Sequence, residues 1–476
     1  WDMSTGMPEK GIEERASLIA QLSTESFKMS ISDEMKKHLD YFLLPEIQDQ
    51  LSNKMLSLVN ECKKDFDRFN KIPAEKYSKY VQLTSEAQSV WEKAKNKDDF
   101  SLFSPYLENI IQYNIEFTEL WGYEGNRYNA LLEYYEPGMT VKKLDLIFDN
   151  LRKYTISLLV KINNSEIKPN NSILKKNANI DKQKKVCRQL LEDIGFDFKA
   201  GRLDESEHPF TIGVNPDDVR ITTHFFPENF SSAIFSCLHE GGHGLYEQNI
   251  SKDLNGTPLC TGTSMGIHES QSRFWENIIG RSKKYWENYY ELLKGEFPEI
   301  FNELSVEEFY KTINKVEPSL IRIESDELTY NLHIMIRYEI EKALINEEIS
   351  VAELPEFWND KVEEYLGIRP ENDKEGVLQD VHWSAGLLGY FPSYSLGNIY
   401  AAQFYYTIKE EIKDFDDLVK NGDLIKIKEW LSDKIYKHGK LLSPPEIIQQ
   451  VTGEESTSKY FIKYMNEKFT EIYDLK

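Results

Sequence analysis

A chain of 476 residues, 40% hydrophobic and 13% aromatic, can bury a large core as one big domain or as two or three sub-domains. Its net charge of −23 excludes nucleic acid and anionic membrane as expected partners, and no run of about 18 apolar residues offers a membrane span. Four cysteines, Cys62, Cys187, Cys237 and Cys260, without Cys-x-x-Cys spacing read as reduced thiols of a cytoplasmic protein, and no secretory leader is read at an N-terminus that opens on Trp1.

Residues 9 to 165 read as almost wholly helical. Apolar residues spaced by three and four predict helices over Ile12–Leu22 and Tyr41–Phe69; Pro73 interrupts the pattern, which resumes over Tyr77–Ala94. Pro105 opens a further helix, and Thr140 is placed to cap Val141–Leu159. The Asn-, Lys- and Ser-rich stretch Asn163 to Lys185 predicts an exposed connection that enters a helix before Cys187. Between residues 208 and 226 the period changes to two: Phe210, Ile212 and Val214 alternate, Asn215 to Asp218 turn, and Val219, Ile221, Thr223 and Phe225 alternate again. This predicts a hairpin whose edge can bind an extended peptide through backbone hydrogen bonds. Helices follow over Tyr285–Gly295, Val306–Val316, Glu324–Glu348 and Leu354–Leu366, and the Gly- and Tyr-rich Gly386–Asn398 is expected to be irregular. The expected architecture is mainly α, a single domain with a helical sub-domain over about 1–162, a connection over 163–185 and a catalytic part over about 186–476.

The chemistry is carried by Leu238 to Gly244. His239 and His243 stand four residues apart, so on a helix both imidazoles face one ion, and Glu240 beside them can hold a water without being a ligand. The competing view, two solvated histidines on a surface helix, is weakened by the apolar or small run Ser231 to Leu238 before them. Two glycines inside the motif cost about 1 kcal/mol each relative to alanine, which points to a close approach there. Tyr246 and Asn249 exclude the metzincin extension, and Glu247 lies about 12 Å along the axis from His239, too far to share its ion. The third ligand must come from another segment, with Glu269 as first choice and His268 as competitor. The pattern points to a metal-dependent hydrolase holding zinc, with cobalt or manganese also suited.

Further motifs make the chain resemble the Taq-type metallocarboxypeptidases, the thermostable carboxypeptidase family. Asp218 to Thr222 fits D-x-R-x-T, His239 to His243 fits H-E-x-x-H, and His268 to Gln271 fits H-E-S-Q. Ile321 to Asp326 fits I-R-x-x-A-D with Ser325 in place of alanine, and Gly376 to Trp383 fits G-x-x-Q-D-x-H-W in full. The resemblance implies a helical zincin-type fold similar to angiotensin-converting enzyme and neurolysin, with a deep groove and a small antiparallel sheet beside the metal helix. It also implies Glu269 as third ligand, a homodimer, and release of varied C-terminal residues with proline disfavoured. In that reaction Glu240 is the general base, and His382 and Tyr394 are the candidate oxyanion donors, with Tyr390 and Tyr400 as competitors. Arg322, then Arg220, is the candidate partner of a peptide's free carboxylate; the structural alternatives are salt bridges of Arg220 with Asp218 or Arg322 with Asp326. His208, His224 and His333 are expected to be structural or groove-lining. Rival functions are an endo-oligopeptidase or dipeptidyl-carboxypeptidase with the same site, and an inactive metal-stabilised binding protein, against which Glu240 speaks.

Overall fold

A computed structural model describes residues 1–475. Helices dominate it, and their ends follow local chemistry. Thr140 Oγ1 accepts from Lys143 N–H at 3.3 Å and opens Val141–Asn164, whose buried stripe includes Leu144, Leu151 and Leu158. The single helix expected over Tyr41–Phe69 is instead the end of Asp33–Phe42, the short Pro45–Gln48 and Asn53–Asn70. Pro45 has no N–H with which to continue the first, and Ser52 Oγ accepts from Met55 N–H at 3.3 Å to start the last. Within the stretch expected as a connection, Asn179 caps the helix Ile180–Asp193 by accepting from Lys182 N–H at 3.1 Å.

The chain divides into two compact units. The first comprises Trp1–Asn70, Asn170–Ile313 and Phe404–Glu454; the second comprises Lys71–Pro169, Asn314–Gln403 and the stretch from Glu455 onward.

The first unit holds a sheet of three strands in the order β1-β3-β2: β1 (Gly201–Glu205), β2 (Thr211–Asn215) and β3 (Asp218–Thr223). β2 and β3 form the antiparallel hairpin that the alternation predicts. β1 pairs parallel to β3, with Leu203 opposite Ile221, so the sheet is mixed and not wholly antiparallel as expected. A strand reading Gly-Arg-Leu-Asp-Glu offers a single apolar side chain and carries no period to detect. Gly201 permits the pairing, since a Cβ there would stand 2.4 Å from the Val219 carbonyl oxygen. Val219 and Ile221 are fully buried, and β3 packs against the helix Phe230–Gln248.

In the second unit, Tyr330–Ile345 is buried along most of its length. It starts later than the expected Glu324, because Asp326 Oδ1 accepts from Leu328 N–H at 2.9 Å and Thr329 N–H at 3.0 Å and holds the preceding residues in a turn. The stretch expected to be irregular is so only up to Phe391. Gly386 and Gly389, with φ of +74° and +90°, make the turns, and Pro392 opens the helix Pro392–Glu411, where Leu396, Ile399 and Tyr400 are buried. Among the described residues no helix is long and apolar enough to cross a membrane, and all four cysteines are free.

Candidate active site

Asn229 Oδ1 accepts from Ser232 N–H at 3.3 Å and starts the helix Phe230–Gln248. Ile234, Leu238 and Leu245 sink into the core, while His239 and His243 remain half-buried one turn apart on another face. The facing helix, Met265–Arg273, is capped by Ser264, whose Oγ accepts from Ile267 N–H at 3.1 Å. Gly242 explains how closely the two helices meet: a Cβ there would lie 2.5 Å from the Gln271 carbonyl oxygen. Any side chain at 242 would push the Glu269 helix away from the histidines.

This contact brings three ligand atoms, one each from His239, His243 and Glu269, within 4.8 Å of one another. Glu269 Oε2 is 3.6 Å from His239 Nε2 and 3.4 Å from His243 Nε2. Its other oxygen accepts from Arg273 Nε at 2.7 Å, and Ser272 Oγ donates to Oε2 at 3.1 Å. His239 Nδ1 is 2.9 Å from Glu276 Oε2; since a carboxylate only accepts, Nδ1 carries a proton and Nε2 is the nitrogen turned toward Glu269. On a neutral ring that Nε2 lone pair would face a carboxylate oxygen, a repulsion that a cation between them removes. Two imidazole nitrogens and one carboxylate also form a donor set used by catalytic zinc, so the residues fit a divalent metal. His268, the competing ligand candidate, instead spends its two nitrogens on His243 and Glu247.

The electrostatics follow from burial among charges. Burial pushes the Glu269 carboxyl up, but Arg273 and the imidazoles outweigh it and hold the group well below the usual carboxylate range. Burial also acts against the charged form of Glu276, which Arg273 and His239 nevertheless hold down at about 2. For His243, burial with His268 and His239 alongside lowers the ring to about 4. Glu240, 6% exposed, moves the other way: burial raises its carboxyl, against the opposing pull of His239 and Thr211. Thr211, on the edge strand β2, donates its hydroxyl to Glu240 Oε2 at 2.6 Å.

Arg220 also lies in the first unit, where its fork grips both oxygens of Asp218 at 2.8 and 2.7 Å and stacks over the Trp1 ring at 5.0 Å. Arg322, His382 and Tyr394 come together in the second unit. Arg322 Nε and Nη2 both reach Asp380 Oδ1, at 2.9 and 2.8 Å, while Arg337 Nε takes the other oxygen at 2.6 Å. The partner of Arg322 is therefore Asp380 and not Asp326, whose carboxylate caps the turn described above. His382 Nε2 is 3.1 Å from Tyr394 OH, and the Tyr394 ring lies 5.3 Å from the Arg322 guanidinium. Burial, reinforced by the two arginines, lowers His333 to about 3 and His382 to about 4, so both rings are neutral. Tyr390 keeps its ring 5.7 Å from His382, whereas the Tyr400 hydroxyl donates to Glu136 in the core. Sequence reasoning assigned no role to Glu276, Thr211, Arg337 and Asp380; Glu276, two turns beyond Glu269 on one stripe, and Asp380, two residues before His382 in its motif, left local signals.

Comparison with known proteins identifies the family. The family described as Carboxypeptidase Taq (M32) metallopeptidase matches residues 1–469. Carboxypeptidase 1 of Bacillus subtilis is 47% identical over 473 residues, covering 99% of this chain and 94% of its own. Thermostable carboxypeptidase 1 of Thermus thermophilus is 38% identical over 483 residues, with coverage of 99% and 94%. The crystal structure of the M32 carboxypeptidase from Deinococcus radiodurans superposes with a TM-score of 0.96 at 32% identity, over 100% of this chain and 95% of that one. With the motif and its partners in place and the match running nearly end to end, the chain belongs to the carboxypeptidase Taq (M32) family of metal-dependent carboxypeptidases.

Proposed function

We propose that the chain releases single amino acids from the free C-terminus of peptides, using zinc, or cobalt or manganese in its place, held by His239, His243 and Glu269. The inward-turned His-His-Glu set with Glu240 beside it carries this reading. When bound, the ion supplies Lewis-acid polarisation and makes water acidic near neutral pH. Glu240 takes the proton of the attacking water and returns it to the leaving amine; burial strengthens it as a base, and the Thr211 hydroxyl orients it. His382 and Tyr394 are the proposed hydrogen-bond donors to the oxyanion.

Arg322 is the first choice for the substrate carboxylate. It shares the single carboxylate of Asp380 with Arg337, which leaves a surplus positive charge in a buried place that an anion would balance. Arg220 stays second, because both arms of its fork are already matched to Asp218. Broad specificity with proline disfavoured, a homodimer and a cytoplasmic location complete the proposal; the four free cysteines suit a reducing compartment. Cleavage of a free-acid peptide and its C-terminal amide, followed by mass spectrometry, tests it. The free acid is expected to be cut about 100-fold faster or more. Equal rates would favour an endo-oligopeptidase and end the role of Arg322, while release of C-terminal dipeptides in place of single residues would identify a dipeptidyl-carboxypeptidase.

A further inference from the structure

The two histidines of the motif are backed differently. Behind His239 stands a carboxylate, Glu276. Behind His243 stands a second imidazole, with His243 Nδ1 2.7 Å from His268 Nδ1, and the carboxylate follows one step later, His268 Nε2 lying 2.9 Å from Glu247 Oε1. We infer that Glu247 and His268 form a positioning relay that fixes which nitrogen of His243 is offered to the metal.

The direction of the relay follows from what each group can donate. Glu247 is 6% exposed, and its Oε1 also accepts from Gly262 N–H at 3.3 Å and Thr261 Oγ1 at 3.4 Å, donors that suit a carboxylate. A carboxylate accepts only, so His268 Nε2 carries a proton, and when the ring carries no second one its Nδ1 has only a lone pair. His243 must then donate from Nδ1, which leaves its Nε2 lone pair facing Glu269. The opposite tautomer would set two lone pairs 2.7 Å apart and place a proton where the ion binds.

Two glycines make room for the relay. A Cβ at Gly262 would stand 2.6 Å from His268 Cδ2, and one at Gly213 on β2 would stand 2.5 Å from Glu247 Oε2. Neither has a left-handed φ, so each is required for space and not for conformation. Glu247 is one turn beyond His243, and His268 directly precedes Glu269. The two residues set aside as ligands thus orient one that is used, as groups behind metal-bound histidines commonly do.

The inference rests on the metal site proposed above, and its test reads metal binding, not activity. The full chain is stripped with chelator and titrated with zinc against a chromophoric competitor. His268→Leu, which fills the space without an acceptor, is expected to weaken zinc binding about 10- to 100-fold. His268→Asn, whose amide oxygen can stand near the Nδ1 position but cannot reach Glu247, is expected to recover most of that loss. A role in packing alone predicts the reverse order, with leucine at least as good as asparagine, and that order would overturn the relay. Glu247→Gln nearly preserves shape and is expected to weaken zinc about 10-fold with unchanged circular dichroism. Parental affinity in that variant would also overturn it. A parent chain that binds no divalent ion would overturn the metal reading and the relay together; a parent that binds zinc, with variants that match it, overturns the relay alone.

Discussion

Around Glu269, three ligand atoms from two imidazoles and a carboxylate gather within 4.8 Å. Around Asp380, two guanidinium groups close on one carboxylate while His333 and His382 stay neutral. The first cluster has more acceptors than donors and wants a cation; the second has more positive charge than it can balance and wants an anion. Neither is a matched ion pair of the kind that well-packed apolar residues can replace without loss. Buried imbalance is costly, so it persists where something from outside completes it. On the proposed function a metal ion completes the first cluster and a carboxylate the second.

The largest effect should come from removing the base and leaving the metal set intact. Glu240→Gln keeps the shape and can still accept from Thr211, but it cannot take a proton. Its kcat is expected to fall by about 10²- to 10⁴-fold with parental metal content, read by peptide hydrolysis alongside elemental analysis. Parental activity would leave the first cluster as a metal holder and nothing more.

The two clusters also differ in how far the sequence reveals them. His239 and His243 are legible because one helical turn sets their spacing, and Glu269 because it is a carboxylate in the first turns of a following helix. Arg337 and Asp380 are 43 residues apart, with no local period to link them. The same contrast holds for the fold. The β2–β3 hairpin shows its alternation, whereas β1 is polar and pairs in parallel with a strand farther along the chain. Pro392 to Asn398 looks like loop by its tyrosine, serine and glycine content, yet tertiary burial makes it helix. The helical period over Tyr41–Phe69 survives the breaks at Pro45 and Ser52, so period alone overextends it.

The second region holds another buried acid, which sharpens the contrast through stability. Glu341 accepts from the Tyr128 hydroxyl at 2.6 Å, Trp383 Nε1 at 2.8 Å and Gly389 N–H at 2.8 Å, tying down the segment that carries His382. Burial pushes its carboxyl from 4.5 up to about 7 in spite of these donors. The folded chain therefore binds this proton more tightly than the unfolded one. The contribution is complete below about pH 4.5 and is lost as pH rises through about 7, on the order of 3 kcal/mol. Urea midpoints of the parent should fall between about pH 5 and pH 8, and Glu341→Gln should flatten that slope. A slope unchanged in the variant would assign the pH dependence elsewhere.

Arg322→Lys tests the demand for an anion directly. Lysine keeps the charge but loses the planar fork, so kcat/KM on free-acid peptides should fall about 100-fold, chiefly through KM, while the slow cleavage of amides is unchanged. Equal losses on both substrates would make the second cluster a structural one.

The smallest effect should appear at Thr211, where the edge strand touches the first cluster. Thr211→Val retains shape but removes the 2.6 Å hydrogen bond that opposes the burial of Glu240. With that bond gone, the Glu240 carboxyl rises further, and a base must be deprotonated to act. The acid limb of the kcat/KM profile should therefore move to higher pH by less than about one unit, with a few-fold loss near neutrality and unchanged zinc affinity. A limb that stays in place would mean that the hydroxyl only orients the carboxylate, leaving burial and the neighbouring imidazole to set its basicity.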